Sequence, residues 1–301
     1  MVTVSVPGKV ILMGDHAVVH GKPGLIAAIN KRFTISMESH TSFQVVSHEG
    51  DEYARHVVKT VADHYRMGMP KVKITIKSDI PAGYHLGSSA AVAVGTVGAS
   101  MYFLKKIWNP TAINQLAYEA EKYIHQTPSG VDNTAVTSGG FLWYRKELEF
   151  LRSFWQLPMK LPKSLNHFSL IDTGRPNENT GELVTYVGKQ AELHKEEYKN
   201  IFDENEEQTK RVAMALKEAN ETTLIDAIRK GERTLERMGV VSQKVIPLIR
   251  DVEKSGGAAK VLGGGGHAGG VGYLLCYSHN PPQGNIPIIL GEEGIRLEKT
   301  S

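Results

Sequence analysis

The densest chemistry in the chain lies at Asp79–Val94, where an alternating strand passes through small residues into an apolar helix. Gly83, Gly87, Ser88, Ser89 and Ala90 let backbone N–H groups approach an anion, and a helix starting near Leu86 aims its positive N-terminal end at the same place. The adjacent hydroxyls of Ser88 and Ser89 supply further donors or a metal ligand. The same loop also reads as a Gly-rich turn that caps a buried helix. Five polar features stand elsewhere: Lys9 after Pro7-Gly8, Asp15-His16 after Gly14, Glu121 beside Glu119 and Lys122, Asp132 in the turn that begins at Pro128, and four glycines at 263–266. Each alone has a structural reading, as a strand-edge lysine, a polar turn, a surface carboxylate, an N-cap or a loose loop. Four glycines between apolar strands more often admit a ligand or another backbone. Together these groups form the inventory that phosphoryl transfer from a nucleotide requires: a backbone cradle, magnesium ligands, a cation, and an acid group beside the attacking hydroxyl.

Hydrophobic patterning says what must hold these groups. Residues 2–6 alternate as a strand, Pro7-Gly8 is expected to turn the chain, and 9–14 is a second short strand. Further β-type runs at 24–30, 32–38 and 42–47 favour an antiparallel or mixed sheet over a βαβ repeat. Apolar spacing predicts helices over 51–67 and 111–124, with a strand over 72–77 between them. The run from Leu86 to Trp108 is small and apolar nearly all round, as a helix buried on most faces must be. A strand is expected at 139–144, and the Pro-rich stretch 155–166 marks a domain boundary, giving units 1–155 and 156–301. The second unit reads as a strand at 167–172, a long charged helical region over 182–255 and strands at 258–262 and 271–277. Segments 286–290 and 295–298 are expected to form a terminal hairpin. Helices beside antiparallel strands make the fold class α+β.

Composition narrows the classes. The 301 residues are 41% apolar and 22% charged, with a net charge of +3, so an ordinary globular protein is expected. No Lys/Arg run with interleaved aromatics suggests nucleic acid as a partner. Cys276, the single cysteine, excludes an internal disulfide and fits a cytoplasmic setting. No stretch is long and apolar enough for a membrane span, and the N-terminus lacks the pattern of a secretory signal. A homodimer is possible by base rate alone.

The segment from Pro7 to Gly21, the loop Leu86–Ala91, the segment from Glu121 to Asn133 and the glycine-rich 260–272 resemble, in order, the motifs of mevalonate kinases, members of the GHMP kinase superfamily. The resemblance spans nearly the whole chain. It implies an N-terminal ribosomal-protein-S5-like domain and a C-terminal ferredoxin-like domain, with ATP and Mg²⁺-dependent phosphorylation of mevalonate, in isoprenoid biosynthesis, in the cleft between them. Asp132 matches the family's aspartate beside the substrate hydroxyl, and Lys9 the lysine next to it. Glu121 and Ser89 match magnesium ligands. The ATP loop corresponds to Gly83, Tyr84, His85, Leu86, Gly87, Ser88, Ser89 and Ala90. Asp15, His16 and Thr180 match positions facing the substrate, and Ser129 shapes the turn that presents Asp132. The chain departs from the family pattern in four places: Asp15 stands where Glu is usual, His85 occupies a glycine position, Leu262 replaces a threonine, and His267 interrupts the glycine run. Other GHMP kinases acting on phosphomevalonate or a sugar, and a non-catalytic metabolite sensor of the same fold, are the competing expectations.

Overall fold

The computed structural model describes residues 1–47, 51–79, 84–123, 129–148 and 151–300. Two sheets organise it. The first has seven strands: β1 (Val2–Met13), β2 (Pro23–Ser39), β3 (Gln44–Val46), β4 (Val72–Ser78), β5 (Phe141–Lys146), β6 (Arg152–Leu157) and, from the far end of the chain, β11 (Arg296–Thr300), in the order β11-β1-β2-β4-β3 with β5 and β6 branching from β2. The second has four, β7 (Phe168–Asp172), β8 (Ala258–Val261), β9 (Tyr273–Tyr277) and β10 (Ile286–Pro287), in the order β10-β7-β9-β8.

The expected turn at Pro7-Gly8 is instead a shift of register within one continuous strand, β1, against β2. Proline lacks the N–H that a ladder needs, and a local irregularity absorbs that loss without ending the strand. The bend falls just before Lys9. The two β-runs expected over 24–38 likewise merge into the single strand β2, which pairs with β1, β4 and β5. The expected terminal hairpin does not form: β10 pairs with β7 in the second sheet, and β11 pairs with β1 in the first. Trp155, expected in a loop, lies in β6 opposite Trp143.

Helices α1 (Asp51–His64), α2 (Ser88–Lys105), α3 (Pro110–Glu121) and α4 (Val131–Ser138) accompany the first sheet. Helix α2 is buried from Ala90 to Met101 on all but one residue, and its small residues let it lie directly on the strands. A Cβ added to Gly95 would meet Ile35 at 2.3 Å and Val6 at 3.0 Å. Helices α5 (Thr180–Leu193), α6 (Lys195–Glu218), α7 (Glu221–Arg237) and α8 (Ile246–Lys254) follow. Within the α6–α7 pair, Asn205 Nδ2 donates to Thr234 Oγ1 at 2.7 Å. Helix α7 reaches the end of β1, where the Met13 thioether occupies the space a Cβ on Gly231 would need. The charged run at 203–207 lies within α6, where Asp203 and Glu206 hold Lys22. Cys276 is buried in β9 with a free thiol. No helix among the described residues is long and apolar enough to cross a membrane.

The close seat of α2 yields a test. Gly95→Val forces two branches into space already held by Ile35 and Val6, and overpacking of this kind costs about 1–3 kcal/mol. Urea denaturation should show a lower midpoint at an unchanged m-value.

Candidate active site

Strand β1 delivers Lys9 to the start of α2. The Lys9 N–H donates to the Leu86 carbonyl at 3.0 Å, which ties the strand to the loop preceding the helix. Gly87 caps α2 with φ +78, and a Cβ there would lie 2.9 Å from the Lys9 stem. Glycine is therefore required twice, for its left-handed backbone and for the lysine that crosses it. The Lys9 ammonium ends 2.9 Å from Asp132 Oδ1. Lys9 is 3% exposed, whereas the Asp132 side chain is 39% exposed, so the lysine is structural along its length and the carboxylate remains reachable.

Asp132 sits in the first turn of α4, which begins at Gly130 with φ +75. Ser129 Oγ accepts from the Val131 N–H at 3.3 Å, and the neighbouring Asn133 side chain donates to the Asn114 carbonyl and side-chain oxygen at 3.2 and 2.7 Å. These bonds fix α4 against α3. A carboxylate in a first helical turn also gains from the exposed N–H groups there.

Glu121, the last residue of α3, is 4% exposed. Its surface reading fails; that description fits Glu119, which pairs with Lys122 in solvent. Burial, reinforced by the Asp132 charge, pushes the Glu121 carboxyl up to about 7 against the opposing pull of the Ser89 hydroxyl and Lys9. Ser89 hydrogen-bonds to this carboxyl, yet its Oε1 is buried without a partner. Two hard oxygens, one unsatisfied, beside a second carboxylate fit a divalent cation. Among the described residues no group of three His, Cys, Asp or Glu forms an all-protein metal cage. Magnesium beside a nucleotide is ordinarily held by one or two protein oxygens plus phosphates and water.

Asp15 and His16 lie in the turn after β1. Asp15 is 1% exposed and turned inward, with Oδ1 accepting from the Gly263 N–H at 3.0 Å and Oδ2 2.6 Å from Lys260 Nζ. His16, with φ 54, donates from Nε2 to the Gly264 carbonyl at 2.9 Å. Burial lowers its pKa, and a neutral ring that donates from Nε2 leaves Nδ1 as an acceptor. That atom is buried without a partner. Both residues thus hold the glycine-rich loop, and only His16 keeps a free polar atom.

His85 and Thr180 meet across the two halves of the chain, with Nδ1 and Oγ1 3.1 Å apart. Thr180 opens α5 behind the cap Asn179, whose side chain accepts from the Glu182 N–H. Ser88 begins α2, while Leu86 and Ala90 are buried supports. Gly83 lies outside the described residues. Tyr84 rests against Tyr273, ring centroids 4.8 Å apart.

Sequence reasoning overlooked Lys260 and Glu232. Lys260 is fully buried and donates to the carbonyls of Ile11 at 3.2 Å and Val261 at 2.6 Å besides pairing with Asp15. Glu232 of α7 accepts from the Val261 N–H at 2.9 Å. The available signal was a lone lysine inside the apolar strand β8.

Residues 52–140 match the family described as GHMP kinases N terminal domain, so the cleft is that of a GHMP-type kinase. The mevalonate kinase of Archaeoglobus fulgidus is 32% identical over 98% of this chain and 99% of its own length. That of Pyrococcus horikoshii is 30% identical over 100% of this chain and 98% of its own. A mevalonate kinase crystal structure superposes with a TM-score of 0.77 at 25% identity, covering 92% of this chain and 91% of its own. The chain belongs to the mevalonate kinase family.

Glu232 gives a pH test. Burial lifts its carboxyl from an ordinary 4.5 to about 8, so the folded state holds a proton that the unfolded chain releases. Its contribution to stability is fully present below about 4.5 and is lost as pH rises to about 8. Glu232→Gln keeps an acceptor for Val261 and removes the titration. Its melting temperature should match that of the parent at pH 5 and exceed it at pH 9; the same difference at both would refute the assignment.

Proposed function

We propose that this chain transfers the γ-phosphoryl group of ATP to the primary hydroxyl of mevalonate, giving 5-phosphomevalonate and ADP. The observation that carries this reading is the Lys9–Asp132 pair at 2.9 Å, set beside the start of α2 and joined by Glu121 and Ser89. Full-length relatives named mevalonate kinase support the acceptor. The single cysteine, free and buried, supports a cytoplasmic setting.

In the proposed reaction the mevalonate oxygen attacks the γ-phosphorus in line, the bond from that phosphorus to the β-bridging oxygen breaks, and the hydroxyl proton leaves toward Asp132. Asp132 orients the hydroxyl and accepts its proton, while Lys9, 2.9 Å from that carboxylate, offsets charge developing on the attacking oxygen. The N–H groups at the start of α2 and the Ser88 hydroxyl cradle phosphate oxygens. Ser89 and Glu121 would hold Mg²⁺, which when bound neutralises phosphate charge. His16 presents Nδ1 to the acceptor, and Thr180 lines the same side. Most of the rate would come from positioning, because the groups are fixed before reactants arrive.

Lys9 and Lys260 are each already paired with a carboxylate, which favours an acceptor with no phosphate of its own. Coupled ADP detection over a panel of acceptors should give turnover with mevalonate and little with phosphomevalonate or sugars; preference for another acceptor would displace this reading.

The role of Asp132 is tested separately. Asp132→Asn should lower kcat by about 10²–10⁴-fold, the usual share of a positioned acid or base. Calorimetric ATP affinity should stay close to that of the parent. Unchanged turnover removes Asp132 from the mechanism.

A further inference from the structure

His85 stands just before α2, and its surroundings give it a use. It adopts φ 62, a left-handed conformation unusual for a residue with a Cβ. A glycine there would be free of that strain, so the imidazole occupies this position against a local preference. Its space comes from the second half of the chain. A Cβ built on Gly263 would fall 2.5 Å from the His85 Cβ, and one on Gly272 would lie 3.6 Å from its Cδ2. The missing Cβ of Gly263 therefore makes room for the ring, and Tyr84 docks beside it on Tyr273. The loop before α2 is thereby fastened to α5 and to the segment between β8 and β9.

The ring has two polar atoms, and only one is used. Nδ1 meets the Thr180 hydroxyl at 3.1 Å, whereas Nε2 is buried with no partner. Burial, with Lys9 as the largest charge effect, lowers the His85 pKa, so the ring is neutral and carries one proton. The Thr180 hydroxyl can turn to donate to Nδ1, which puts that proton on Nε2. A buried donor left unmatched is unfavourable. The ionisable groups that act on the ring are Lys9, Asp132, Asp15 and His16, and Lys9 and Asp132 among them are assigned to transfer. Reactants entering such a cleft bring oxyanions, from phosphate or from the acceptor's carboxylate, and these have only acceptor atoms to offer.

We infer that His85 is an oxyanion-contacting residue, donating from Nε2–H to a bound reactant, with Thr180 holding the ring in the required tautomer. The inference rests on the phosphoryl-transfer reading above and adds a contact that a glycine at this position could not make. The neutral ring donates without adding charge, so it aligns an oxygen without competing with Lys9 for Asp132.

The test combines spectroscopy and kinetics. In the full chain labelled with ¹⁵N-histidine, the His85 proton should reside on Nε2, and that nitrogen should shift on adding either a non-hydrolysable ATP analogue or mevalonate. A shift with the analogue assigns the oxyanion to phosphate; a shift with mevalonate assigns it to the carboxylate. A proton on Nδ1, or no shift with either reactant, overturns the inference. Kinetically, His85→Gly and His85→Phe should each lose about 10- to 100-fold in kcat/KM, the effect of one hydrogen bond to a charged group. His85→Asn, which tolerates the left-handed backbone and keeps a donor, should recover part of that loss. Full activity in His85→Gly also overturns the inference. Parent ADP release with mevalonate is measured first: its absence counts against the acceptor, and the donor assignment is then decided on the nucleotide analogue alone.

Discussion

Two opposite charges withdrawn from water, Asp15 and Lys260, hold the cleft together. They stand 2.6 Å apart at 1% and 0% exposure. Removing one partner of such a pair typically costs ~3–5 kcal/mol, because the other is left uncompensated. The pair is not isolated: Lys260 also donates to carbonyls in β1 and β8, and Asp15 accepts from the Gly263 N–H. One ion pair therefore pins the end of the first strand to the start of the glycine-rich loop. His16 extends the clamp to Gly264. The first sheet is also closed by β11 from the last residues, so the two halves of the sequence are interleaved in space.

On the open side of that clamp, charge is arranged in a gradient. Lys9 is the local cation, Asp132 its exposed partner, and Glu121 a buried carboxyl pushed toward neutral pH. The same Asp132 charge that Lys9 offsets raises Glu121 further. Glu121 Oε1, His16 Nδ1 and His85 Nε2 are all buried without a protein partner. Each is an atom whose hydrogen-bonding capacity is left for a bound reactant to use.

Much of this was legible in the sequence, and what was not has physical causes. The buried character of α2 followed from its run of small apolar residues, and Lys9, Ser89, Glu121 and Asp132 were picked out by type and converge in space. At Pro7-Gly8 the local rule that proline and glycine make turns fails, because it cannot see the long partner strand β2, which carries β1 through the irregularity. The C-terminal hairpin was misread for a related reason, since adjacent strands need not share a sheet. Lys260 escaped notice because its meaning lies in Asp15, far away in sequence. A lysine among alanine and valine reads as an edge residue until an opposite charge is placed against it.

His85 shows the opposite case, a position whose oddness was visible in the sequence but whose purpose was not. A bulky residue in a glycine place suggests obstruction of the phosphate loop. The ring fits because Gly263 has no Cβ, which would fall 2.5 Å from the His85 Cβ. The exchange is not neutral. Glycine before α2 would leave the loop held by the Lys9 N–H bond to Leu86 and by Tyr84 on Tyr273, whereas the imidazole adds a contact to α5 through Thr180. The imidazole therefore couples the loop before α2 to α5. A change in either Thr180 or Gly263 would reach the phosphate cradle through this one side chain.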